Sequence, residues 1–237
     1  MTEKSLLRRG WVMLLLMGQP FTWAQAVEEV LQCAIAAEPE NAPQLSAVYD
    51  GTAADFESGG EFHFRFIVQG GDQCLYVLDE SDTPRRLGYS RNKAWQQTDG
   101  SDEVKAVEAA TQIASWKLLA LLLSPNRFSA LVTAAQSVEL AGQDAQTHRV
   151  YFDLGEGLEF TAHIDRATCR LSKVVRQSSG QERVMAFDDY REVEGIPTFS
   201  SLKLLREGLP YRLYSIEKAG YGARLPDELF EPRAQMP

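Results

Sequence analysis

The chain has 237 residues, with 24 Lys and Arg against 33 Asp and Glu and a formal net charge of −9. That acidity argues against a nucleic-acid partner, which needs a basic surface, and against docking on anionic lipid by overall charge. The length suits one domain with a sizeable core after a short N-terminal targeting segment.

That segment comes first in chain order. Lys4, Arg8 and Arg9 make a positive n-region, Trp11 to Met17 is an unbroken apolar run, and Gly18-Gln19-Pro20 breaks it before Ala24-Gln25-Ala26, a small-x-small cleavage pattern. An apolar run of about seven residues is far short of the roughly 20 that span a bilayer as a helix. Residues 1–26 are therefore predicted to be a cleaved signal peptide. Residues 27–237 are expected to be a single domain exported to the periplasm of a Gram-negative bacterium. Val30-Leu31-Gln32 offers no small residue before Cys33, so the mature protein is expected to be unlipidated and soluble. Losing Glu3 with the three basic residues leaves 211 residues at a net charge of −11.

Val27 to Ala37 places Val27, Val30, Leu31 and Ala34 at helical spacing and predicts a helix that Pro39 to Pro43 ends. Strands follow. Leu45 to Phe56 is one, with Gly51 as a bend; Gly59-Gly60 turns into Glu61 to Gln69. There Phe62, Phe64, Phe66 and Val68 alternate against His63, Arg65 and Ile67, which predicts a half-buried strand with Arg65 pointing outward. Gly70-Gly71-Asp72 pairs Gln73 to Leu78 back as a hairpin, and Lys93 to Thr98 carries Trp95.

Asp102 to Leu123 is the one strong helical block, amphipathic at first and apolar nearly all round at LLALLL, so its end must be covered on more than one side. Ser124-Pro125 stops it and opens a short second helix through Phe128, Leu131 and Val132. Strands then resume at Thr147 to Leu154, Leu158 to Ile164, Cys169 to Gln177, Arg183 to Tyr190, Phe199 to Leu205 and Tyr211 to Glu217. The pattern predicts an α+β domain. Its core is an up-and-down antiparallel meander of roughly ten strands, interrupted once by a helical pair and curled around an apolar interior.

Chemistry-bearing motifs are scarce. The chain has no HExxH, GxSxG, Walker loop, CxxC or GxGxxG, and no cofactor, metal or catalytic residue is assigned. His63 and His163 alternate away from the phenylalanine faces, whereas His148 shares a face with Val150. Asp188 and Asp189 are adjacent on a strand and point to opposite faces, so they form no carboxylate dyad. Cys33, Cys74 and Cys169 match no zinc or redox spacing. One pair can bridge in an oxidising compartment and leave one thiol over.

The informative feature is apolar. Phe62, Phe64, Phe66, Trp95, Phe152 and Phe160 are more aromatic surface than a thin sheet needs. They are either tightly packed core or, if the helix stands off the sheet as a lid, the wall of a concave pocket. Val150 and Ile164 share those strand faces; Trp116, Leu119 and Leu123 are the corresponding lid residues.

The C-terminal third resembles the LolA/LolB-like superfamily, which includes LolA-type lipoprotein carriers and RseB-type envelope-stress regulators. The resemblance rests on FTAHIDRATCRLSKVV, on VMAFDDYREVEGIPTF with its Asp189-Tyr190-x-x-x-x-Gly195-x-Pro197 pattern, and on Leu225-Pro226-Asp227-Glu228-Leu229-Phe230 after the last strand. It implies a curved antiparallel sheet forming an incomplete barrel, with an N-terminal helix and a mid-chain helical lid. It further implies a non-enzymatic periplasmic carrier or chaperone-like protein, distinct from LolA itself and acting as a monomer. Its partners would be lipid or lipoprotein acyl chains and an inner- or outer-membrane protein. The missing lipobox argues against the anchored LolB role. The alternative reading is a partner-binding envelope sensor or assembly factor with no lipid ligand.

Overall fold

The computed structural model describes residues 23–40, 45–79, 84–98, 101, 103–178 and 180–232. The n-region and apolar run of the predicted signal peptide, Pro43, and Asp102, the expected start of the long helix, lie outside them. Helix α1 (Trp23–Ala36) leads into β1 (Leu45–Asp55), β2 (Gly60–Gln69), β3 (Gln73–Asp79), β4 (Arg85–Ser90), β5 (Lys93–Thr98) and β6 (Val104–Val107). Helices α2 (Ala110–Leu123) and α3 (Arg127–Ala134) follow. Then come β7 (Ser137–Gln143), β8 (Thr147–Asp153), β9 (Glu159–Asp165), β10 (Leu171–Ser178) and β11 (Gln181–Asp188). The chain closes with β12 (Arg191–Val193), β13 (Ile196–Thr198), β14 (Ser201–Arg206), β15 (Leu209–Ala223) and a 3₁₀ turn at Asp227–Phe230.

Thirteen of these strands make one antiparallel sheet in the order β6-β5-β4-β3-β2-β1-β15-β14-β11-β10-β9-β8-β7. The long last strand closes the topology: β15 pairs with β1 over nearly its whole length and joins the N-terminal meander to the C-terminal one. Edges β6 and β7 do not pair, so the sheet is a curved, incomplete barrel. Register slips at Asp50/Gly51, Leu140/Gly142, Leu171/Lys173 and Leu204/Leu205 add the local twist that curls it. At Gly51 a Cβ would lie 1.9 Å from the Ser215 carbonyl oxygen, so β15 approaches too closely for any side chain.

Three expectations are corrected. The helix expected from Asp102 begins at Ala110, because Val104–Val107 instead pairs with β5 as an edge strand (Ala94 opposite Val107, Gln97 opposite Val104). Valines at both ends of that segment fit a pleated edge, and the β5 backbone offers the hydrogen bonds it needs. Strands β4 and β7 carry too few apolar residues to show as strands from the sequence, so the sheet is larger than the ten or so expected. Asp188 ends its strand and Asp189 turns at φ 55°, after which β12 and β13 form a separate two-stranded hairpin.

Burial gathers on the concave face. Tyr49, Phe66, Val68, Val150, Phe152, Ala162 and Val174 are almost fully buried there, in one continuous core with Leu118, Leu122 and Leu123 of α2. The Tyr49 hydroxyl donates to the Leu123 carbonyl at 2.8 Å, one of the terminal acceptors that no helical N–H reaches. Helix α1 packs on β7 and α3 and is held covalently by the Cys33–Cys169 disulfide. Glu38, just past α1, caps α3 by accepting from the Phe128 and Ser129 amides at 2.5 and 3.3 Å. Cys74 is left as a buried thiol, pushed up to about 12 by burial and so an inert core group.

Candidate functional site

Helix α2 packs against β2, β3, β4 and β5 and leaves a space between itself and β10, β11, β14 and β15. That cavity has a volume of about 340 Å³. Its walls are strand residues whose alternation points them inward, Phe66, Tyr76, Leu202 and Leu204 among them. Trp116, Leu118 and Leu119 of α2 form the roof. The aromatic side is tightly knit: Phe66 and Tyr76 stack at 4.3 Å, Phe64 meets Tyr214 edge-on at 5.0 Å, and Trp116 lies 6.0 Å from Tyr76.

The polar groups of the lining are arginines, tyrosine hydroxyls and Ser115. Tyr76 donates to the Tyr214 hydroxyl at 3.0 Å, and burial pushes both phenols up, so they stay neutral. Arg212 reaches the same Tyr214 oxygen at 3.4 Å and pairs with Asp55 at the rim. Arg176 is 7% exposed; its Nη1 donates to Ser115 Oγ of α2 at 3.3 Å, while its Nε has no partner. Burial, and then the charge of neighbouring Arg183, push the Arg176 guanidinium below its usual range. Arg85 and Arg183 complete the basic lining. Among the described residues that line the cavity there is no carboxylate.

A second space of about 400 Å³ lies between α1 and the sheet edge, lined by Val30, Leu140, His148, Ile164 and the Cys33–Cys169 disulfide, with Glu29, Gln143 and Arg166. It is more polar. His148 turns inward there as its alternation with Val150 requires, and its Nδ1 is buried without a partner. Among the described residues no three His, Cys, Asp or Glu side chains come together to hold a metal ion.

Three solved structures share this architecture. A domain named as an outer-membrane lipoprotein-sorting protein from Vibrio parahaemolyticus is 11% identical, with a TM-score of 0.58 over 85% of this chain and 94% of that one. A LolA superfamily protein from Nitrosomonas europaea is 11% identical, with a TM-score of 0.55 over 86% and 97%. The fold is that of the LolA superfamily. A DUF1329 family protein from Desulfovibrio piger shares it, at 14% identity and a TM-score of 0.59 over 86% and 97%. No protein-family model and no curated protein matches the sequence.

Within this LolA-type barrel the residues expected to line a pocket fall into five groups. Phe66, Trp116 and Leu119 line the cavity under α2. Phe64 packs behind Phe66 at 4.9 Å, and Phe62 lies under the Arg212 guanidinium at 5.1 Å. Leu123, Val150, Phe152 and Phe160 are closed core, with the two phenylalanines stacked at 5.3 Å, and Ile164 lines the second space. Trp95 is on the other side of the sheet. It packs with Leu75 and Phe230 and donates to the Phe230 carbonyl at 3.0 Å.

Arg65 points outward to Asp50 at 2.5 Å, as its alternation requires. The basic residues of the cavity were not legible from the sequence: placing them takes the pairing of β10, β11, β14 and β15, although alternation alone puts Cys74, Tyr76 and Leu78 on one face.

Proposed function

We propose that this chain is a periplasmic, non-enzymatic carrier that shelters an acyl chain of a lipid or lipoprotein between α2 and the concave sheet. The observation that carries the reading is the cavity itself, roofed by Trp116, Leu118 and Leu119 and walled by Phe66, Leu202 and Leu204. Apolar walls with a few convergent polar groups are the usual form of a small-molecule site. Each methylene moved from water into such a space contributes about 0.8 kcal/mol. Native mass spectrometry of protein purified from the periplasm should show a bound lipid. A fluorescent fatty acid should be displaced by unlabelled lipid, and Trp116→Asp should weaken its binding at least tenfold. If no lipid copurifies and Trp116→Asp binds the probe as the wild type does, the carrier reading fails.

A second reading is a partner-binding envelope factor. It is favoured by Phe56 and Leu209, 53% and 72% exposed, which sit in neighbouring hairpin tips joined by the Phe56 amide to the Tyr211 carbonyl. On that reading, a Phe56→Ser/Leu209→Ser variant loses an envelope protein that the wild type retains in a pull-down, while lipid binding is unchanged.

A further inference from the structure

Arg176, Arg183 and Arg206 lie directly opposite one another across β10, β11 and β14. Like charges in directly opposed positions repel, and a sheet normally separates them with carboxylates. Here, among the described residues, only Arg206 has one: Glu57 at 2.9 Å, an exposed pair. Among the described residues, Arg176 and Arg183 have no carboxylate within ion-pair distance. Arg176 is buried as well, with Nε unpartnered and only the Ser115 hydroxyl of α2 against its Nη1. A buried guanidinium next to a second cation is destabilising unless something negative completes it. Both arginines line the same cavity wall, close to the apolar roof, in a chain that is acidic overall.

We propose that Arg176 and Arg183 form the head-group site of this cavity and select an amphiphile with an anionic carboxylate or phosphate head, whose tail lies under α2. The proposal rests on the carrier reading. Planar guanidinium groups suit two-oxygen anions. A head bound there would cancel the repulsion between the two arginines and satisfy the Arg176 Nε. The Ser115 contact would place the lid helix directly on the head-group site, linking closure to the charge of the ligand.

The test compares dodecanoate with dodecanol, which share a tail and differ in head charge, by titration calorimetry on the full mature chain. Wild type should prefer dodecanoate at least tenfold, the scale of difference that one charge-assisted hydrogen bond makes. Arg183→Gln, at an exposed position, should bring the ratio close to one, chiefly by weakening dodecanoate. Arg176→Gln should do the same, and its melting temperature should not fall, because a buried charge without a carboxylate partner is removed. Acetate should bind far more weakly than dodecanoate. Equal affinity for dodecanoate and dodecanol in the wild type, or an undiminished preference in Arg183→Gln, overturns the head-group site and leaves the carrier reading standing. Acetate binding as tightly as dodecanoate overturns it in favour of a small-anion site. Failure of both twelve-carbon probes overturns the two together.

Discussion

Asp55 anchors the rim of the cavity. One carboxylate oxygen accepts from the Glu57 and Ser58 amides, both at 3.0 Å, and the other pairs with Arg212, the arginine that reaches Tyr214 inside. The Ser58 amide and the Arg212 side chain hold its pKa down to about 2, against 3.8. A carboxylate depressed in the folded state stabilises it at pH values above 3.8, and that contribution is lost as pH falls through about 2. Asp55→Asn should therefore cost roughly 1 kcal/mol at pH 7, a value reduced by solvent screening, and the gap to wild type should close between pH 4 and 2 in urea titrations. Trp95→Ala tests the opposite side of the sheet. It should cost about 3 kcal/mol or more as a large-to-small core change and leave dodecanoate affinity unchanged. Any loss of binding would place Trp95 back among the lining residues. Trp95 shows what alternation leaves open: an isolated short strand has two faces, and only pairing with β4 decides between them. That pairing lays the indole over Gly88, where a Cβ would come within 2.2 Å of the ring. In β2, by contrast, three phenylalanines share one parity with no polar residue between them on that face, so the inward side was legible at once.

At the scale of elements, α1 is the part held least by its own sequence and most by what it touches. A fourteen-residue helix is marginal alone. It is tied to the β9–β10 turn by Cys33–Cys169, across 136 residues of chain, and Glu38 just beyond it caps α3. The three cysteines allowed any one pairing, and no spacing rule chose between them; only the return of the sheet to α1 brings Cys169 to Cys33. A disulfide closing so long a loop contributes about 3–5 kcal/mol, chiefly by restricting the unfolded chain. The Cys33→Ser/Cys169→Ser variant should therefore melt about 10 °C lower by calorimetry, on the usual 2–4 °C per kcal/mol for a chain of this size. An unchanged melting temperature under oxidising conditions would mean that the bond adds nothing beyond the packing of α1. The helical block was readable for the same reason that its start was not. LLALLL must be buried on several sides whatever surrounds it. Whether Val104–Val107 coils or extends depends on an open strand edge formed by residues further back.

Across the whole molecule, the open barrel divides its interior unequally. The half built from β7 to β10 closes its middle with Val150, Phe152, Phe160 and Val174 and keeps its own space of about 400 Å³ only at the edge beside α1, whereas the more apolar space under α2 stays open at about 340 Å³, toward the low end for a small-molecule site. The curved sheet was legible from strand after strand of inward-facing apolar residues. The inequality was not, since the same alternation describes a filled half and a hollow one. That inequality predicts how affinity should depend on tail length. In a carboxylate series from hexanoate upward, each added methylene should tighten binding about fourfold, the equivalent of 0.8 kcal/mol, while the tail still finds empty volume. Beyond that length the gain should stop, because the next methylene must displace Leu118 and Leu122, both nearly fully buried, or lift α2 from the sheet. If α2 is a movable lid, the plateau should be followed by a second rise for longer tails, with slower association as opening becomes limiting. If it is a fixed roof, affinity should stay flat. Titration calorimetry with stopped-flow association rates across the series separates the two, and an affinity independent of tail length from the start would remove the cavity from the binding site altogether.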